Sequence, residues 1–145
     1  LTPHLRPAQL SDLLAATNRD GWQGSTLKLA QAQLQQGPAF TAVEGDVILG
    51  TAGVIVPWHG MGQAWMVLRP ELNGQGVWLT KTVRRMLDDM TAALDLHRLE
   101  AISLADSAVN QAWLQALGFS RELGGVAQGY FADGRSAIRY EKVRR

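Results

Sequence analysis

The stretch Leu68-Arg69-Pro70-Glu71-Leu72-Asn73-Gly74-Gln75-Gly76-Val77-Trp78 stands between two strongly patterned segments. Before it, Ala64-Trp65-Met66-Val67-Leu68 is a near-continuous apolar run, as expected of a central strand covered on both faces. After it, Leu79, Val83, Met86, Leu87, Met90 and Leu94 recur with a 3.6-residue period, which predicts one long amphipathic helix. Lys81, Arg84, Arg85, Asp88 and Asp89 fall on its other side. The first turn of a helix exposes N–H groups with no partner inside the helix. Its dipole adds about half a positive charge there. Gly74 and Gly76, at alternate positions, let the main chain approach a ligand without a Cβ in the way. The local expectation is an anion site suited to phosphate or diphosphate. By itself the motif is also compatible with a plain turn. It lacks the third glycine of the dinucleotide fingerprint and the Gly-Lys-Ser/Thr of a Walker loop.

Working outward toward the N-terminus, Val47 to Val56 and Ala39 to Glu44 read as strands joined by the tight turn Gly45-Asp46. Pro57 to Gly62 read as a further turn. Gly37-Pro38 ends a helix that Ser25 caps and that carries Leu27, Ala30 and Leu34 on one face. Leu10, Leu13 and Leu14 predict an earlier helix from about Ala8 to Asn18, after a short strand at His4-Leu5-Arg6. Toward the C-terminus, Arg98 to Leu104 reads as a strand. Val109, Ala112, Trp113, Ala116 and Leu117 then predict a helix with Asp106 or Ser107 as N-cap and Gly118 as its stop. Val126 to Phe131 and Ala137 to Val143 flank Asp133-Gly134 as a terminal hairpin. This order predicts an α+β domain with a mixed sheet, because a doubly wound sheet would alternate strand and helix throughout.

The 145 residues suit one domain spanning 1–145. With 46% hydrophobic residues and a net charge of +1, the chain is expected to fold rather than to be disordered. There are no cysteines, which excludes disulfides, thiolate metal sites and a cysteine nucleophile. No apolar run reaches the roughly 18 residues of a membrane span. Leu1-Thr2-Pro3-His4 has no signal-peptide pattern, and a cytoplasmic location is expected. The balanced charge argues against a nucleic-acid partner, the basic tail Lys142-Val143-Arg144-Arg145 notwithstanding. His4, His59 and His97 have no ligand spacing, so no metal site is expected. Trp22, Trp58, Trp65, Trp78 and Trp113 are many for so short a chain, and some suit an interface.

Element order and motif together resemble the GNAT superfamily of N-acetyltransferases. Its members carry a strand, Val-x-Pro-Glu, Arg/Gln-Gly-x-Gly-x-Gly/Ala and a long helix; Leu68, Pro70, Glu71, Gly74, Gly76 and Val77 match that frame. Leu117-Gly118-Phe119 matches a second hallmark, and Leu5-Arg6-Pro7-Ala8 with Asp12-Leu13 looks like the family's opening. The resemblance implies a mostly antiparallel mixed sheet with two splayed strands, flanked by about four helices. It implies acetyl-CoA as co-substrate, and direct attack on its thioester by a primary amine of a small molecule or peptide. The implied coenzyme-binding residues are Leu68, Asn73, Gly74, Gln75, Gly76, Val77, Trp78 and Lys81, with Arg85 a further contact for the 3′-phosphate. In the family a carboxylate takes the amine proton and a tyrosine on the penultimate helix protonates the thiolate.

The sequence departs from this pattern at four places. Asn73 replaces Arg or Gln, and Trp78 replaces Gly or Ala, where its ring would either cover the groove or turn into the core. Leu114 stands in the tyrosine's place and has no proton to give. No carboxylate lies on Ala64 to Leu68. The catalytic residues are therefore open: Glu71, Glu44, Glu100 and His59 are candidate bases, and Tyr130 is a candidate acid. Thr17 to Ser25 and Gly124 to Gly134 are the loops expected to choose the acceptor. Residues 107–119 are also similar to small acetyltransferase-like proteins of tailed bacteriophages. That similarity implies a second reading, a catalytically degenerate structural or virion protein bound to phage particle proteins or to its own copies.

Overall fold

A computed structural model describes residues 3–12, 32, 34–68, 76–130 and 134–144. Its sheet has seven strands in the order β1-β2-β3-β4-β5-β7-β6. These are β1 His4–Pro7, β2 Ala39–Glu44, β3 Val47–Trp58, β4 Met61–Leu68, β5 Arg98–Leu104, β6 Ser120–Arg121 and β7 Ala137–Val143. Only β4 and β5 pair in parallel; every other neighbouring pair is antiparallel. A parallel pair needs a long crossover. Helix α1, Gly76–Ala93, lies between β4 and β5 in the chain, and α2, Ala108–Ala116, follows β5. The mixed, mostly antiparallel sheet expected from the sequence is the one found. Fewer helices are described than the four expected: two complete ones, and helical residues at 10–12, 32 and 34–35 that border undescribed chain.

The α1 stripe works as its period requires. Leu79, Val83, Met86, Leu87 and Met90 are all buried, and Leu87 is fully so. They form one cluster with Ala52 and Val54 of β3, Ala64 of β4, Leu99 and Ala101 of β5 and Ile138 and Tyr140 of β7. Each large apolar side chain removed from water in this way contributes about 2 kcal/mol. Strand side chains alternate between faces. Ala64, Met66, Ala101 and Ser103 therefore lie on the helix face, and Trp65, Glu100 and Ile102 on the opposite one.

Of the two caps expected for α2, Asp106 and Ser107, the helix uses Ser107, whose Oγ accepts the Asn110 N–H at 3.3 Å. It stops at Gly118, whose φ of +97° suits glycine alone. Arg84 and Lys142 donate to the Ala116 and Leu117 carbonyls, placing two cations at its negative end. Its buried face, however, differs from the expected stripe. Leu114 and Leu117 enter the core with Trp113 against them, whereas Val109 is 80% exposed and Ala112 and Ala116 are exposed. The first turn of α2, residues 108–110, is exposed throughout, so tertiary placement overrides the usual burial of valine.

Two further expectations are corrected. The turn between β3 and β4 is only His59-Gly60, with Trp58 pairing Met61; Pro57 sits in an irregular stretch of β3, where its missing N–H is tolerated. Gly60, at φ +86°, allows so tight a connection. Val126 to Phe131 is not a strand among its described residues. Only Ala127 bridges Ala137, because Gly125 and Gly129 turn the chain away at positive φ. The strand on the side of β7 away from β5 is β6.

The N-terminal edge is held by one buried carboxylate. Asp12 accepts two bonds from Arg6, at 2.7 and 2.8 Å, and one each from the Gln9 N–H and the Thr41 hydroxyl at 2.9 Å. The bond back to Gln9 is the three-residue reach of a capping box. Among the described residues no helix is long and apolar enough to cross a membrane.

Candidate functional site

The parallel pairing of β4 and β5 is short. Met61, Gly62 and Gln63 face Arg98, Leu99 and Glu100, and the pairing stops there. Both strands continue: β4 to Leu68, still paired with β3, and β5 to Leu104, still paired with β7. Beyond Gln63 and Glu100 the two strands therefore diverge, and the sheet opens into a slot. Five β4 residues past the fork make it about 16 Å long. Its main-chain edges carry polar groups without sheet partners across the gap, which must be met by water or by a bound chain.

Parallel strands point the same way, so both following helices start at the open end of the slot. Helix α1 opens at Gly76, the second glycine of the motif, and α2 opens after Ser107. In open α/β arrangements ligands bind outside the carboxyl ends of such strands. Val77 and Lys81 lie four residues apart on the exposed side of α1, with Arg85 one turn further on. Trp78 is partly buried and packs against the hydrophobic core. Leu68 ends β4 at the same mouth. Asn73, Gly74, Gln75 and Glu71 lie outside the described residues.

A two-step hydrogen-bond relay braces the α1 start. Trp113 Nε1 on α2 donates to Thr80 Oγ1 at 2.9 Å, and Thr80 Oγ1 donates to the Gly76 carbonyl at 2.8 Å. No local pattern announces it beyond a high tryptophan count.

The candidate proton carriers are scattered. His59 is exposed in the β3–β4 turn, at the closed end of the fork. Tyr130 is 52% exposed in the connection between β6 and β7. Glu44 ends β2, two strands from the slot, and one of its carboxylate oxygens is buried without a hydrogen-bond partner among the described residues. Glu100 is buried at the fork itself. Leu114, where the resemblance puts a tyrosine, is only 4% exposed and belongs to the core.

Glu100 stands in an ionic cluster that sequence reading missed. Arg98 reaches Glu100 at 2.9 Å, Glu141 at 2.5 Å and Glu122 at 3.2 Å, and Arg139 approaches Glu122 at 3.6 Å. Burial pulls the Arg98 guanidinium down, but its bonds to Glu100 and Glu141 outweigh that and hold it above its ordinary value. The alternation Arg98-x-Glu100 was the available signal, since residues two apart share a strand face. Trp65 adds an unusual donor. Its indole N–H is buried with no acceptor among the described residues, on the face opposite α1 and two residues past the Gln63–Glu100 rung. Among the described residues no three His, Asp or Glu side chains gather as a metal site would need.

No family model matches the chain, and no curated protein does. Its fold is nonetheless that of solved acetyltransferases. A mutant form of the spermidine/spermine N-acetyltransferase SpeG from Vibrio cholerae matches with a TM-score of 0.74 at 16% identity, over 99% of this chain and 95% of the other. IAA acetyltransferase from Bacillus cereus matches with a TM-score of 0.74 at 18% identity, over 98% and 99%. SpeG in complex with manganese ions gives 0.72 at 17% identity, over 97% and 92%. At such identities the likeness is one of fold, and the GNAT-like fold expected from the sequence is the one it supports.

Proposed function

We propose that this protein is an acetyl-CoA-dependent N-acetyltransferase acting on a primary amine of a small molecule or peptide. The observation that carries the reading is the divergence of β4 and β5 beyond the Gln63–Glu100 pair, with α1 opening at Gly76 beside it. A slot with main-chain edges suits the amide-bearing pantetheine arm. A helix mouth suits the diphosphate. The packing of Trp78 against the core supports a groove its ring does not fill. Lys81, one turn into α1, is placed to meet a phosphate through a charge-assisted bond. Solved proteins of the same fold acetylate spermidine or spermine, which makes a small polyamine-like amine the first acceptor to try.

In the proposed step the neutral amine attacks the thioester carbonyl, a C–N bond forms, and the C–S bond breaks. The ammonium proton passes to Glu100, directly or through a water, because it is the described carboxylate at the fork. The thiolate takes its proton from solvent, since Leu114 has none to give. The phage-protein reading rests on residues 107–119, the tryptophan count and the abbreviated motif; the packing of Trp78 against the core, which leaves the groove to a ligand, makes catalysis the favoured reading.

The test is release of free thiol from acetyl-CoA over a panel of primary amines. The chain has no cysteine, so a thiol-reactive chromogen reads coenzyme A without background from the protein. Amine-dependent thiol release supports the proposal. No release with any amine, together with no thermal stabilisation by millimolar acetyl-CoA, would favour the structural protein.

A further inference from the structure

The first turn of α1 has reason to be unsteady. It starts on a glycine, the residue that loses most freedom in a helix, and its leading N–H groups have no partner within the helix. Yet Thr80 reaches back one turn and donates its single hydroxyl proton to the Gly76 carbonyl at 2.8 Å. With that proton committed, a lone pair of Oγ1 is left to accept, and Trp113 Nε1 fills it at 2.9 Å. The donor is carried by a planar ring, partly buried and packed against the hydrophobic core. It belongs to the other helix, α2, which Arg84 also ties to α1 through the Ala116 carbonyl. The relay therefore fixes the Thr80 rotamer, the Gly76 carbonyl, and with them the direction of the N–H groups at the helix mouth. It acts on the flank of the helix that faces α2, and Val77 and Lys81 remain exposed.

We infer that Trp113 is a positioning residue for the coenzyme diphosphate, acting through Thr80 on the first turn of α1. This rests on the coenzyme-binding reading above. Donors already aimed at the ligand bind it more tightly than donors ordered on binding. One neutral hydrogen bond is worth about a factor of 2 to 12 in an equilibrium constant.

The experiment compares wild type, W113F, T80V and T80S. Acetyl-CoA affinity is measured by calorimetry, and kcat and KM by thiol release. W113F keeps the ring and loses the N–H; T80V keeps the shape and loses both relay bonds; T80S keeps the hydroxyl. W113F and T80V should weaken acetyl-CoA roughly three- to tenfold in Kd and KM, with kcat unchanged. T80S should bind as wild type does. S-acetylpantetheine, which lacks the diphosphate, should show no penalty in kcat/KM for any variant. If wild type binds acetyl-CoA and W113F and T80V bind it equally well, the inference is overturned. A penalty of the same size for S-acetylpantetheine would also overturn it, showing a general loss of fold. If wild type binds no acetyl-CoA, the functional reading itself fails and takes this inference with it. Should W113F not fold, the T80V and T80S pair decides the matter alone.

Discussion

Gln63 of β4 and Glu100 of β5 form the last rung between the two parallel strands, and the sheet divides beyond them. The same rung carries the two properties the proposed chemistry needs. On one side of it the strand edges are free to grip an extended chain. At it stands Glu100, a buried carboxylate on the sheet face opposite α1.

Replacing Glu100 by Gln tests that second property. The E100Q variant should lower kcat by about 100-fold or more. The KM for acetyl-CoA should stay as it is. Loss of stability and a raised KM, with kcat little changed, would assign Glu100 to the Arg98 ion cluster alone.

Leu87 is fully buried at the centre of the α1 stripe, where the helix meets the sheet. Leu87→Ala should lower unfolding stability by about 2–5 kcal/mol, read from urea titration at constant m-value.

Asp12 gives a pH-dependent signal. Its bonds from Arg6 outweigh burial and hold its carboxyl below the usual range. A depressed native pKa contributes stability that is present above the unfolded value, about 4, and is lost as pH falls through the native one. Asp12→Asn should therefore cost about 2 kcal/mol at pH 7. The gap to wild type should start to shrink near pH 4 and close below it. A gap of constant size from pH 7 to pH 2 would contradict the assignment.

Trp65 separates two opposing effects. Its buried N–H has no acceptor among the described residues, so removing it removes a cost, whereas its ring packs on Gly53, so shrinking it opens a gap. Trp65→Phe should therefore lower stability by less than about 2 kcal/mol, below the range for a packed side chain lost to alanine. A larger loss in chemical unfolding would show that the indole N–H is satisfied in solution.

Legibility followed the strength of the local signal. The α1 stripe, β2, β5, β7, the Ser107 cap and the Gly118 stop could all be read from the sequence, because each rests on periodicity or on a residue with one conformational use. The α2 face could not, since Val109, Ala112 and Ala116 are small or ambiguous and tertiary packing chose Leu114 and Leu117 instead. Neither could β6, two residues long and defined only by its partner. At the site, the Gly76 start was readable from the glycine spacing. The relay from Trp113 through Thr80 joins residues 33 apart in sequence, and the Arg98 cluster reaches from β5 to β7, so no local pattern announces either.

Hydrogen exchange read by mass spectrometry, with and without saturating acetyl-CoA, tests the slot most directly. Exchange should slow in peptides covering 63–68 and 99–104 and in the first turn of α1 from Gly76. The β1–β2 edge should not change. Binding of acetyl-CoA with those peptides unprotected, and protection elsewhere instead, would contradict the coenzyme-binding reading.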